Sequence, residues 1–202
     1  NPTGTVLPIN QIENFIKKIS KKIIIVIDEA YYEYASYYGF ASSVSLLKKY
    51  NNIIVTRSFS KIHALAGARV GYGLASKEII SNFNKIRQPF NVNYVAQTMA
   101  IESLADERYL KKSLELNNIG MQFLRLELKK LGVLYIDSYT NFITIYLGKN
   151  AQTVYEMLLS EGVILRPLDN YGLPGYLRAT IGTKNENAMF IKKLKKSLKR
   201  LK

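Results

Sequence analysis

Three clusters of polar side chains sit directly beside apolar runs in this chain. Asp28, Glu29, Ala30 and Tyr31 follow the run at 23–27, Ser58, Ser60 and Lys61 follow the run at 53–56, and Arg69 precedes the run at 70–74. Short apolar runs of this kind read as buried strands, and in open α/β sheets ligands bind outside the carboxyl ends of the strands. A carboxylate, a phenol, two hydroxyls, a primary amine and a guanidinium would then converge on one edge. Such groups are the raw material of acid–base chemistry and anion binding. Each residue also has an ordinary explanation: Asp28 could cap a helix, Tyr31 could be an amphipathic core residue, and Lys61 could be a solvated surface lysine.

The elements that must position these groups alternate in type. Residues 8–20 read as a helix opening at Pro8, a residue suited to a first helical turn. A buried parallel strand is expected at 23–27, a helix at 44–50, a second strand at 53–56, a polar turn at 57–61 and a short third strand at 70–74 containing Gly71 and Gly73. A helix at 76–85 is broken at 88–91, and a long helical stretch runs from 94 to about 131, with Asp106 a possible interruption. Strands follow at 142–147, 163–167 and 176–181, with a helix at 151–161 and a closing helix at 185–201. This alternation predicts an α/β fold with helices on both faces of a parallel sheet. The long helical stretch divides it into residues 1–115, part of a larger parallel-sheet domain, and residues 116–202, a smaller α/β domain.

Composition narrows the chemistry. The 202 residues are 48% hydrophobic and 22% charged, which fits a soluble globular protein with a sizeable core. With no cysteine and the single histidine His63, thiolate chemistry, disulfides and multi-histidine metal sites drop out, so no metal ligand is expected. No apolar run reaches membrane-spanning length. The opening Asn1-Pro2-Thr3-Gly4 is neither basic nor apolar, does not read as a signal peptide, and points to a fragment of a longer protein. The net charge of +14 raises a nucleic-acid partner, but the lysines are scattered and no basic arm or aromatic ribonucleoprotein motif accompanies them. In the densest basic run, Ile191, Leu194, Leu198 and Leu201 recur at helical spacing, the mark of a closing helix docked on a domain. Neither a nucleic-acid nor a membrane partner is therefore expected.

Taken jointly, Asn1-Pro2-Thr3-Gly4, the group at 28–31 (DEAY), the group at 58–61 (SFSK), Arg69-Val70-Gly71 and the segment at 178–182 (RATIG) resemble the class I and II, fold-type I pyridoxal-phosphate aminotransferases. Order and separations fit, including the eight positions from Lys61 to Arg69. The resemblance implies the C-terminal part of the large parallel-sheet domain plus the small C-terminal domain, with pyridoxal 5'-phosphate as cofactor. It implies that Lys61 bonds the cofactor and carries the proton at the substrate α-carbon. Asp28 pairs with the pyridine nitrogen, Asn1 and Tyr31 hydrogen-bond the phenolic oxygen, and Ser58, Ser60 and Arg69 hold the phosphate.

Finer matches at 61–72 (KIHALAGARVGY), 87–93 (RQPFNVN), 162–168 (GVILRPL), 171–174 (YGLP) and 177–183 (LRATIGT) resemble the histidinol-phosphate aminotransferase branch. That branch implies amino transfer between glutamate or 2-oxoglutarate and histidinol phosphate or imidazole-acetol phosphate, in histidine biosynthesis in the cytoplasm. Arg178 and Arg166 would then serve the substrate carboxylate and phosphate. The same pattern is shared by aromatic aminotransferases and threonine-phosphate decarboxylases. Family members are homodimers acting on small amino and keto acids. Complete members are about twice this length, so the chain by itself is expected to be inactive. A truncated, non-catalytic dimerisation module is the reading of another class. His63 occupies a position the family does not reserve for histidine and is expected to be structural.

Overall fold

The computed structural model describes residues 1–201, which divide into two compact units: Leu7–Lys112, and 113–201 together with Asn1–Val6. The first unit holds α1 (Ile9–Lys18), β1 (Ile25–Asp28), α2 (Tyr32–Tyr37), a 3₁₀ turn at Ser43–Lys48, β2 (Ile53–Ser58), β3 (Gly71–Ala75), α3 (Lys77–Ile86) and α4 (Tyr94–Ala105). Helix α5 (Glu107–Lys130) crosses from this unit into the next. Beyond it come β4 (Leu134–Ile136), β5 (Phe142–Tyr146), α6 (Ala151–Ser160), β6 (Arg166–Pro167), β7 (Tyr176–Thr180) and α7 (Lys184–Arg200). Strand and helix alternate, as the α/β expectation required.

In the first unit β1 pairs parallel with β2 in the register Asp28↔Thr56. β2 pairs antiparallel with β3, opposing Ser58 to Gly71 and Thr56 to Gly73, so this part of the expected parallel-sheet domain carries one antiparallel strand. Side chains alternate across a strand. Ile25 and Ile27 therefore pack with Ile53 against Ile16 and Leu46, whereas Val26 on the opposite face is 60% exposed. The run at 23–27 is thus only partly the buried strand it resembles: Ile23 and Ile24 precede the strand and are about half exposed, at 54% and 50%. The expected helix at 44–50 is a 3₁₀ turn, opened by Ser42, whose Oγ accepts the Val44 N–H at 3.0 Å. The long helical stretch does break at Asp106, whose Oδ1 accepts the Tyr109 N–H at 2.9 Å and so starts α5.

The second unit is a four-stranded antiparallel sheet in the order β4-β5-β7-β6. Its inner face, Ile143, Ile145, Leu177 and Ala179, packs on Leu124 and Leu128 of α5, Val154 and Leu158 of α6, and Leu194 of α7. Of the expected strand at 163–167, only Arg166–Pro167 makes ladder bonds. The closing helix bears out its apolar stripe: Ile191 and Leu194 are buried, and Leu198 and Leu201 pack beside them. Thr183 and Glu186 form a capping box at its start, which satisfies amide donors that a helix terminus otherwise leaves orphaned.

Helix α7 is pinned to the end of α6 by Glu161, whose carboxylate meets Lys193 Nζ at 2.8 Å and Lys196 Nζ at 2.7 Å. Hydrogen bonds from these two lysines hold the Glu161 carboxyl at about 2, below its ordinary 4.5. A depressed carboxylate contributes stability that is fully present above the ordinary value and is lost as pH falls through the folded-state value. Glu161→Gln should therefore lower the melting temperature at pH 7, and the gap from the parent should close between about pH 4.5 and pH 2. Thermal melts across that range check this. A gap that stays constant down to pH 2 would mean that the glutamate acts through packing and not through charge.

Candidate active site

Residues paired across neighbouring strands share a face, so one face of the three-stranded sheet carries Asp28, Thr56 and Ser58 together with Gly71 and Gly73. The two glycines leave β3 bare beside Ser58 and Thr56. At Gly71 the bareness is enforced, because a Cβ there would lie 2.7 Å from the Arg57 carbonyl oxygen. Asp28 stands at the C-terminal end of β1, and its Oδ1 accepts the Ala30 N–H at 2.9 Å. This turns the chain into the segment that carries Tyr31, immediately ahead of α2.

Lys61 follows β2 directly. Its turn is held by the backbone: the Leu65 N–H donates to Phe59 O at 3.0 Å and the Ala64 N–H to Lys61 O at 2.9 Å. Ser58 Oγ accepts the Ser60 N–H at 3.0 Å, which fixes both hydroxyl residues ahead of the lysine. Lys61 Nζ lies 5.2 Å from the centre of the Tyr31 ring, within cation–π range. Arg69 closes the same loop in the left-handed conformation, φ 55° and ψ 48°, with Nη1 donating to Ala66 O at 2.6 Å. Left-handed backbone at a non-glycine residue is uncommon and clusters at functional positions. The first unit thus brings Asp28, Tyr31, Ser58, Ser60, Lys61 and Arg69 to the ends of β1 and β2.

His63 is buried, its Nδ1 2.7 Å from Ser103 Oγ and its ring 4.9 Å from that of Phe59. It fastens the lysine-bearing turn to α4, the structural part expected of it. Tyr34 is likewise interior, and burial pushes its hydroxyl above the ordinary value. It stays neutral and packs.

The remaining predicted residues meet in the second unit. Arg166 and Arg178 lie directly opposite each other in the β6–β7 ladder, and Arg178 in turn opposes Thr144 of β5. The opening residues cross this outer face. Arg178 Nη1 donates to Asn1 Oδ1 at 2.6 Å, and Thr144 Oγ1 donates to Pro2 O at 2.7 Å. The Arg178 guanidinium also sits 4.9 Å from the centre of the Phe142 ring, and that of Arg166 lies 6.0 Å from Tyr171. Among the described residues, none of the ion pairs involves Lys61, Arg69, Arg166 or Arg178. All four cations of the predicted set therefore lack a carboxylate partner among the described residues.

Several residues beside the site had no role in the sequence reading. Gly71 and Gly73 were noted inside a strand without a role, although two glycines at alternate positions of a short strand mark one bare face. Thr144 carried no signal that separates it from any strand threonine. Glu29 was named only within the polar group at 28–31 and Arg57 only as the start of the polar turn, neither with a role of its own. A charged residue inside an otherwise apolar strand is rarely left unpaired, and that was the available clue.

Known proteins resemble this chain over nearly its whole length. The model of the family described as aminotransferase class I and II matches residues 1–194. Histidinol-phosphate aminotransferase 1 of Idiomarina loihiensis is 46% identical over 196 residues, covering 97% of this chain and 53% of that protein. Among solved structures, the histidinol-phosphate aminotransferase of Clostridium acetobutylicum superposes with a TM-score of 0.92 at 28% identity, covering 99% of this chain and 62% of that one. The Sinorhizobium meliloti histidinol-phosphate aminotransferase, solved in complex with pyridoxal-5'-phosphate, gives 0.89 at 28% identity, covering 100% and 56%. The chain spans about half the length of the curated relatives it matches. Its sequence and its fold agree: this chain belongs to the class I and II aminotransferases.

Proposed function

We propose that this chain is the C-terminal part of a pyridoxal-phosphate-dependent histidinol-phosphate aminotransferase of histidine biosynthesis. Residues 1–115 would be the end of its cofactor-binding domain and residues 116–202 its small domain. The whole protein would work as a cytoplasmic homodimer on small amino and keto acids. The observation that carries the reading is the set gathered at the ends of β1 and β2: Lys61 on the turn leaving β2, beside Tyr31, with Asp28 and Ser58 on the bare face.

The donor set suits the cofactor. When bound, pyridoxal phosphate supplies an electron sink for bonds broken at the substrate α-carbon. Lys61 would hold it through Nζ and move a proton at that carbon. Asp28 would keep the pyridine nitrogen protonated, and Asn1 and Tyr31 would hydrogen-bond the phenolic oxygen. Ser58, Ser60 and Arg69 offer hydroxyls and a planar guanidinium to the phosphate. The choice within the family rests on Arg166 and Arg178. Two arginines directly opposite each other, with no carboxylate partner among the described residues, suit two anionic substrates that take turns, the carboxylate of glutamate taken by Arg178 and the phosphate of histidinol phosphate by Arg166. The relatives' names support the same choice.

The test is borohydride reduction of the full-length protein with pyridoxal phosphate, peptide mass mapping, and a substrate profile. Label confined to Lys61 and glutamate-dependent amination of imidazole-acetol phosphate are expected. Turnover of aromatic amino acids in preference, or carbon dioxide release from threonine phosphate, would move the protein to another branch of the family. Label spread over surface lysines and unchanged in Lys61→Ala would remove the cofactor site altogether.

A further inference from the structure

The reverse face of the three-stranded sheet holds an ion pair to which the site as described gives no part. We propose that Glu29 and Arg57 are positioning residues, a clamp behind the sheet that sets the spacing of Asp28 and Ser58 in front of it. The proposal rests on the reading of those two residues as cofactor ligands.

Glu29 is adjacent to Asp28 and Arg57 to Ser58. Neighbours along a strand point to opposite faces, so the clamp grips the same stretches of backbone without entering the front face. The Glu29 N–H donates to Thr56 O at 2.8 Å, one residue past the end of the β1–β2 ladder. Its carboxylate then closes the connection. Oε2 accepts from Arg57 Nε at 3.1 Å, Arg57 Nη2 at 2.9 Å and Ser42 Oγ at 2.8 Å, while Oε1 accepts the Ser43 N–H at 2.6 Å. Arg57 Nη2 donates also to Ser42 Oγ at 2.8 Å, and its guanidinium lies 3.8 Å from the centre of the Tyr32 ring. The strand ends, the start of α2 and the cap of the 3₁₀ turn are thereby fixed to one another. The two side chains are only 10% and 15% exposed.

A pair this buried is weak evidence of stabilisation, because well-packed apolar residues usually serve as well, but it can specify geometry. Arginine is also the cation whose planar fork can bond a carboxylate through two nitrogens while stacking on an aromatic ring, which lysine cannot do. The geometry specified here is the distance between a carboxylate meant for one end of the cofactor and a hydroxyl meant for the other.

The experiment compares Arg57→Lys and Glu29→Gln with Glu161→Gln, a charge staple in the other unit, in the full-length protein. It reads the dissociation constant for pyridoxal phosphate, the pH midpoint of the bound cofactor's visible absorbance, and the melting temperature. Arg57→Lys keeps the charge and loses the fork. It should weaken cofactor binding roughly tenfold or more, as small misplacements of a preorganised site do, and displace the absorbance midpoint. Glu161→Gln should lower the melting temperature and leave both cofactor readouts unmoved. Should Arg57→Lys not fold, Tyr32→Leu, which removes only the ring beneath the guanidinium, is expected to move the same two readouts. Parental affinity and midpoint in the Arg57 or Tyr32 and Glu29 variants would overturn the proposal, and so would equal shifts in Glu161→Gln at matched loss of melting temperature. If the parent itself takes up no cofactor and no label on Lys61, the functional reading has failed and the clamp falls with it.

Discussion

Lys61→Ala in the full-length protein should abolish transamination while leaving the fold intact. The proton transfer assigned to this amine is alone worth roughly 10²–10⁴-fold in rate, and loss of the covalent hold on the cofactor removes more. The fold should not notice. The bonds that shape the turn run from backbone to backbone, Leu65 N–H to Phe59 O and Ala64 N–H to Lys61 O. The lysine ammonium enters none of the ion pairs among the described residues. A surface-like substitution of this kind shifts stability by about 0.5 kcal/mol or less. Lys61→Arg should be equally inactive, since a guanidinium stays protonated and cannot serve as base or nucleophile. Single-turnover rates and thermal melts on the three proteins check this, and an alanine variant within tenfold of the parent would remove Lys61 from the chemistry.

What could be read in advance and what could not follow from the range of the forces involved. The run before Ser58 and the polar turn after it are local, and chain punctuation alone placed Lys61 at a strand end. The stripe of Ile191, Leu194, Leu198 and Leu201 is local too, since helical periodicity states which face is buried. The direction of β3 is not local. Residues 70–74 form a strand either way, and only the long-range bonds to β2 decide that it runs antiparallel. Helix α2 was given no bounds in advance, because Tyr31, Tyr32, Tyr34, Tyr37 and Tyr38 mark no clear start or end. What fixes that segment lies elsewhere in the chain, in the Asp28 turn and in Arg57 against Tyr32. Arg178 was recognised by its motif, whereas its Asn1 partner lies at the far end of the chain, and no pattern of spacing could have joined them.

The pair Arg166 and Arg178 carries the second large effect, and its sign differs between stability and function. Like charges directly opposite on neighbouring strands repel, and here no carboxylate among the described residues offsets them. Replacing Arg166 with leucine should leave the ligand-free protein as stable as the parent or slightly more stable. A repelling pair conserves its purpose only when an anion binds between or beside the two charges, and then each charge-assisted contact counts. Loss of a bidentate contact to an anion costs about 2–4 kcal/mol, or roughly 30- to 1,000-fold in kcat/KM at about 1.4 kcal/mol per tenfold. Arg166→Leu should impose that loss on the phosphorylated substrate and spare glutamate. Arg178→Leu should impose it on glutamate, whose carboxylate it would hold, and should also release Asn1. Melting temperatures without ligand, set beside kcat/KM for the two substrates, separate these effects. If Arg166→Leu weakened glutamate and histidinol phosphate equally, its part in phosphate recognition would be lost, and with it the main structural argument for a phosphorylated substrate that takes turns with glutamate.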